Sequence, residues 1–69
     1  MLYEVLLGID RVARDTGRRV ILDCLAPDPL TAGISAETLL DTELDAPSEY
    51  SHAMRVTPIT REAAEIFAA

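Results

Sequence analysis

The sequence predicts an α+β fold, a three-stranded antiparallel-type sheet built in the order β-β-α-β with one helix across a face. Three observations predict it. Apolar and polar residues alternate from Tyr3 to Asp10 and again from Tyr50 to Thr57, the period of a half-buried strand. Pro27 and Pro29 interrupt the chain, and after them the apolar spacing lengthens to that of a helix. A chain of 69 residues holds one domain with a single small core.

In the first strand Tyr3, Val5, Leu7 and Ile9 share one face, with Glu4, Leu6, Gly8 and Asp10 on the other. The pattern frays over Arg11 to Arg14. Asp15-Thr16-Gly17 then supplies the residues of a tight reversal, Gly17 being able to take positive φ without strain. The returning strand spans about Arg18 to Leu25, with Val20, Leu22 and Cys24 on one face and Arg19, Ile21, Asp23 and Leu25 on the other. Two signals compete for the start of the helix: Asp28 before Pro29 resembles an N-cap, and Ser35 before Ala36-Glu37 makes a second. The reading places the helix at about Thr31 to Leu44 with an irregular first turn near Gly33. Ala36, Leu39, Leu40 and Leu44 form its apolar side.

After the loop Ala46-Pro47-Ser48, the third strand puts Tyr50, His52, Met54 and Val56 on one face. Pro58 ends it. Thr60 caps a short C-terminal helix in which Ala63, Ile66 and Phe67 could fold back on the domain. Residues 1–57 thus make the ββαβ core and 58–69 a short terminal helix or tail. The third strand fits best beside the first, giving the order 2-1-3. On the face away from the main helix, Leu6, Ile21, Leu25 and Ala53 then form an apolar patch among charges. Such a patch calls for a cover: the terminal helix, a second copy in a weak homodimer, or a target.

Composition narrows the function classes. Only Cys24 is available for thiol chemistry, so no internal disulfide can form, and no basic leader precedes the first acid, Glu4. Both features point to the cytoplasm. All six cations are Arg and the net charge is −6, a sign repelled by phosphate backbones and anionic lipid. A basic protein surface is the partner this charge favours.

No constellation for catalysis is present. Cys24 alternates in register with Val20 and Leu22 as a small core residue would, and His52 is the sole imidazole. Metal-ligand spacings and a glycine-rich phosphate loop are missing, and no cofactor is expected. The expectation is a protein that is not an enzyme.

The acids are distributed unevenly. Between Val20 and Tyr50 the chain carries seven carboxylates and no basic side chain, while both ends are nearly balanced. Glu37, Asp41 and Asp45 recur every fourth residue, a ladder with a rise of about 6 Å per step. Like charges at this spacing cost an isolated helix about 0.2–0.5 kcal/mol per pair. With Glu43, Glu49 and Tyr50 beside them, they are the candidate partner-binding residues. The alternative is a structural or regulatory subunit of a bacterial or phage assembly that self-associates through Leu6, Ile21, Leu25 and Ala53, its acidic helix kept only for solubility.

An acidic ββαβ chain of this size resembles the small phage-borne anti-CRISPR proteins. The likeness covers Tyr3 to Thr57, from "YEVLLGI" through "SAETLLDTEL" to "YSHAMRV", in the order of elements and with no specific motif. Several such proteins have a bent antiparallel sheet crossed by one helix and sit on a guide-RNA surveillance complex where target DNA would bind. The resemblance implies a bacterial host, an inhibitor that works by occlusion, and a CRISPR surveillance complex as the partner, contacted through its Lys and Arg.

Overall fold

Strict alternation in the first strand makes it the centre of the molecule. Tyr3, Val5, Leu7 and Ile9 are all buried, and hydrogen-bonded neighbours lie on both sides of them. The computed structural model describes residues 1–60. It contains β1 (Leu2–Arg11), β2 (Arg14–Leu25), α1 (Pro29–Leu44) and β3 (Glu49–Pro58). The sheet has the order β2-β1-β3 with β1 antiparallel to both neighbours. The fold is therefore α+β, as the sequence predicts; the expected helix over Ala63, Ile66 and Phe67 lies outside the described residues.

The first correction concerns the hairpin. Chain reversal occurs at Val12-Ala13, both with positive φ, 49° and 59°, between the paired residues Arg11 and Arg14. Two left-handed residues give the turn whose twist suits a two-residue hairpin, although neither Val nor Ala favours that region. Asp15-Thr16-Gly17 belongs instead to an irregularity in β2, where the register shifts between Gly8 and Asp10. Gly17 does take the positive φ, at 81°. Local bonds hold this distortion: Asp15 Oδ1 accepts from the Gly17 N–H at 2.9 Å, and the Thr16 hydroxyl donates to the Ile9 carbonyl at 2.7 Å.

The second correction concerns β3. Its register shifts between Leu6 and Leu7, so that Leu6 faces Arg55 while Leu7 faces Ala53, leaving Met54 as an extra residue. A bulge of this kind reverses which side chains point to which face. Ser51, Ala53 and Val56 consequently lie on the side of α1, while Tyr50 and His52 lie on the opposite, open face. Of the four residues expected to share a face, only Val56 sits against the core. Ala53 is not part of the open patch: it packs against the core beside Gly33.

The helix starts earlier than Thr31. Asp28 is the N-cap, its Oδ1 accepting from the Thr31 N–H at 2.8 Å, with Pro29 in the first turn. Gly33 lies within regular helix, so the first turn is not irregular. The buried side of α1 consists of Ala32, Gly33, Ala36 and Leu40, and Leu39, expected in the core, is 55% exposed. Small residues let the helix approach the sheet closely. It lies mainly over β3, leaving Val20, Leu22 and Cys24 on β2 only half-covered.

The two glycines behave oppositely on substitution. A Cβ on Gly33 would meet Ala53 Cβ at 3.5 Å and Val56 Cγ2 at 3.6 Å, ordinary contact distances. Gly33→Ala is expected to raise stability by up to about 1 kcal/mol through helix propensity. Gly17→Ala, at positive φ, is expected to lower it by about 1 kcal/mol. Chemical denaturation of both variants checks the pair.

Acid should weaken the fold through two carboxyls. Asp15 is held well below the usual carboxylate range by its hydrogen bonds to the Arg19 guanidinium and then the Gly17 N–H. Asp28 is lowered by the Thr31 N–H and hydroxyl. Because both are depressed on folding, their stabilisation is complete above the ordinary value of 3.8 and is lost as the pH falls below it. Thermal melts between about pH 5 and pH 2 should show a shallower decline for Asp28→Ala than for the unsubstituted chain.

Candidate interaction surface

Edge strands leave alternate backbone N–H groups unpaired, and on β3 the pattern can be assigned. The Ile59 N–H donates to the Leu2 carbonyl at 2.9 Å. Counting back through the bulge, Thr57, Arg55, His52 and Tyr50 turn their backbone groups toward β1, while Val56, Ala53 and Ser51 turn theirs outward. Two of the outward donors meet acids from α1. The Ala53 N–H donates to Glu37 Oε2 at 2.8 Å, and the Ser51 N–H donates to Asp41 Oδ1 at 2.6 Å. The buried Ser51 hydroxyl donates to the Glu37 carbonyl at 3.2 Å.

The spacing explains the match. Glu37 and Asp41 are one helical turn apart, about 6 Å, and the outward N–H groups of Ser51 and Ala53 are two strand residues apart, about 6.8 Å. Running antiparallel to β3, the helix presents one acid to each. The small residues Ala32, Gly33 and Ala36 bring the helix close enough for short carboxylates to reach. Hydrogen bonds to an ionised group contribute about 1.5–3 kcal/mol each. Sequence reasoning marked these acids for a partner and missed this contact. The available signal was the coincidence of an acid at every fourth residue with small residues on the facing strand.

The rest of the candidate set divides. Asp45 continues the ladder at the end of α1 in the left-handed C-cap position (φ 43°), its N–H donating to the Asp41 carbonyl at 3.3 Å. It is exposed. Glu43 is six residues beyond Glu37 and so about 240° around the helix, on the opposite flank. Glu49 is paired with Arg18 at 2.9 Å, a bond that spans β1. Tyr50 lies on the open face, separated from α1 by the sheet. The structure thus gathers Glu37, Asp41 and Asp45 along the α1–β3 flank and sends Glu43, Glu49 and Tyr50 elsewhere.

The open face carries Leu6, Ile21 and Leu25, the last two 59% and 78% exposed. His52 lies flat on Gly8, where a Cβ would come within 2.7 Å of its Cε1; this close approach requires glycine. Its Nδ1 is 3.0 Å from Asp10 Oδ2, yet the alignment gives no hydrogen bond, so attraction acts only on a protonated ring. Cys24 and His52 occupy opposite faces of the sheet on its two outer strands, and they cannot act together. Among the described residues no group of three or more His, Cys, Asp or Glu is placed to hold a metal ion, and no helix is long and apolar enough to cross a membrane.

No protein-family model matches the chain, and neither a curated protein nor a solved structure proved similar to it.

The acid contacts predict unequal consequences. Glu37→Ala should cost about 1–3 kcal/mol and accelerate hydrogen exchange at the Ala53 amide. Glu37→Gln keeps an oxygen acceptor and should cost less than half as much. Exchange measured by NMR in both variants checks the assignment, and equal exchange in both would remove it.

Proposed function

We propose that the chain is a non-enzymatic interaction module that docks its acidic α1–β3 flank on a basic protein surface and occludes it. One observation carries this reading. Glu37 and Asp41 are held by neutral N–H donors, and no arginine among the described residues pairs with them, so their positions are fixed while no described cation offsets their charge. A carboxylate already ordered by its own fold loses little side-chain entropy on meeting a cation. Asp45 extends the same flank without a basic neighbour in sequence.

A basic groove that ordinarily holds nucleic acid is the surface such a flank would fit. Duplex DNA carries one charge per ~1.7 Å of axis, several times the density of a ladder stepping by ~6 Å. The contact therefore blocks a part of such a groove and does not reproduce a whole duplex. The resemblance to anti-CRISPR proteins supports one concrete setting, an inhibitor of a bacterial defence complex.

Charge reversal is a poor test, because Arg at position 37 or 41 would also break the edge contacts of β3. Isosteric neutralisation keeps them. In titration calorimetry with an oligo-arginine peptide as probe, Glu37→Gln/Asp41→Asn/Asp45→Asn is expected to weaken binding at least tenfold. Glu4→Gln/Glu43→Gln/Glu49→Gln removes the same charge from other surfaces, leaves an oxygen acceptor for Arg18, and should weaken it no more than two- to threefold. Equal losses in the two triples would mean that net charge alone acts and that no docking flank exists. Binding to the intended groove should fall steeply as salt rises.

A further inference from the structure

The two edges of the sheet differ. On β3 the outward donors of Ser51 and Ala53 are taken by α1, whereas among the described residues no strand or helix pairs with the outer edge of β2. Met1 and Ala26 exchange both backbone bonds, Ala26 N–H to the Met1 carbonyl at 2.9 Å and the Met1 amino group to the Ala26 carbonyl at 3.1 Å. With the β1–β2 register, this makes Cys24, Leu22 and Val20 the residues bonded to β1. Leu25, Asp23, Ile21 and Arg19 therefore turn their N–H and C=O groups outward. No hydrogen bond among the described residues occupies the N–H groups of Ile21, Asp23 or Leu25. The side chains along this edge are apolar on the helix side, where Val20, Leu22 and Cys24 are half-buried under the offset helix, and mixed on the other, where the exposed Ile21 and Leu25 alternate with Arg19 and Asp23.

We propose that this edge pairs with the same edge of a second copy, antiparallel about a two-fold axis at Ile21. Outward-facing residues must oppose one another in such a pair, which leaves few registers. Centring on Ile21 places Arg19 opposite Asp23 of the second copy and Asp23 opposite its Arg19, so both unlike charges meet. On the helix side Val20 meets Leu22 and Leu22 meets Val20. A shift of two residues in either direction, the smallest that keeps outward residues opposed, sets Ile21 against Asp23 or Arg19 and breaks both charge pairs. Within one chain Asp23 faces Glu4 across the ladder and has no cationic partner among the described residues. Arg19 binds Asp15 through two nitrogens, and its five donors leave capacity for a second carboxylate. The seam ends at the distortion around Gly17, opposite Leu25 of the other copy.

This inference is independent of the acidic flank, which lies at the other side of the sheet. Sedimentation equilibrium of the full chain should show a concentration-dependent species of twice the 7.5 kDa monomer mass. Ile21→Lys puts like charges opposite each other at the axis and should weaken dimerisation at least tenfold, with an unchanged far-ultraviolet dichroism spectrum. Asp23→Arg should do the same, and Arg19→Asp/Asp23→Arg should restore dimerisation by exchanging the two signs. Amide exchange at Ile21 and Asp23 should slow as concentration rises. A monomer at millimolar concentration would overturn the proposal. So would a dimer indifferent to both single substitutions, which would mean that copies meet through another face.

Discussion

The bond between helix carboxylates and the outward N–H groups of β3 sets the rest of the architecture. A three-stranded sheet has as many edges as a large one and little core to spare, so unpaired backbone donors weigh heavily on it. Here Glu37 and Asp41 satisfy two of them while the Ser51 hydroxyl reaches back to the helix. The helix is thereby drawn over β3. That displacement determines which side chains are covered, which remain half-bare on β2, and where the uncompensated charge resides.

Small side chains make the arrangement workable. Ala32, Gly33 and Ala36 on the helix and Ser51 and Ala53 on the strand bring little apolar area, so directed hydrogen bonds supplement the burial that Leu40 and Val56 supply. The hydrophobic contribution comes from the central strand: Val5, Leu7 and Ile9 are the largest fully buried side chains. The centre is oily, and the β3 side is held by directed bonds.

Much of this could be read from the residues, and the failures are instructive. The alternation in β1 and the order of strands depend on period and chain reversal, which the sequence displays openly. Where the hairpin turns does not, because Val12 and Ala13 carry no preference for the left-handed region they occupy. The obvious turn residue, Gly17, does adopt positive φ, but in a distortion. Met54 hides a bulge in an otherwise regular alternation, and one inserted residue moved Ala53 to the core side and Tyr50 and His52 to the open one. The Asp28-Pro29 cap is legible in the residues, but the competing signal at Ser35 displaces the expected start to about Thr31. As for the acids, a ladder of like charge looks unrelieved on a helical wheel, since a wheel cannot display backbone donors of a neighbouring strand. Tertiary hydrogen bonds to main chain leave only an indirect mark in residue identity, here the acids at every fourth residue together with the small residues of the facing strand.

Pro58 completes the asymmetry of the sheet. It stands opposite Tyr3 on β3, next to Ile59, whose N–H is turned inward; its nitrogen points outward and has no hydrogen to offer. With Ser51 and Ala53 already engaged, Val56 alone of the N–H groups assigned outward on β3 is left without a bond among the described residues, so this edge offers another strand little to pair with. Strand addition is thereby favoured on the β2 side, and the two-fold union proposed there uses that edge up. Such a pairing ends in a finite pair and works against fibrous propagation, the usual hazard of a short sheet with two open sides.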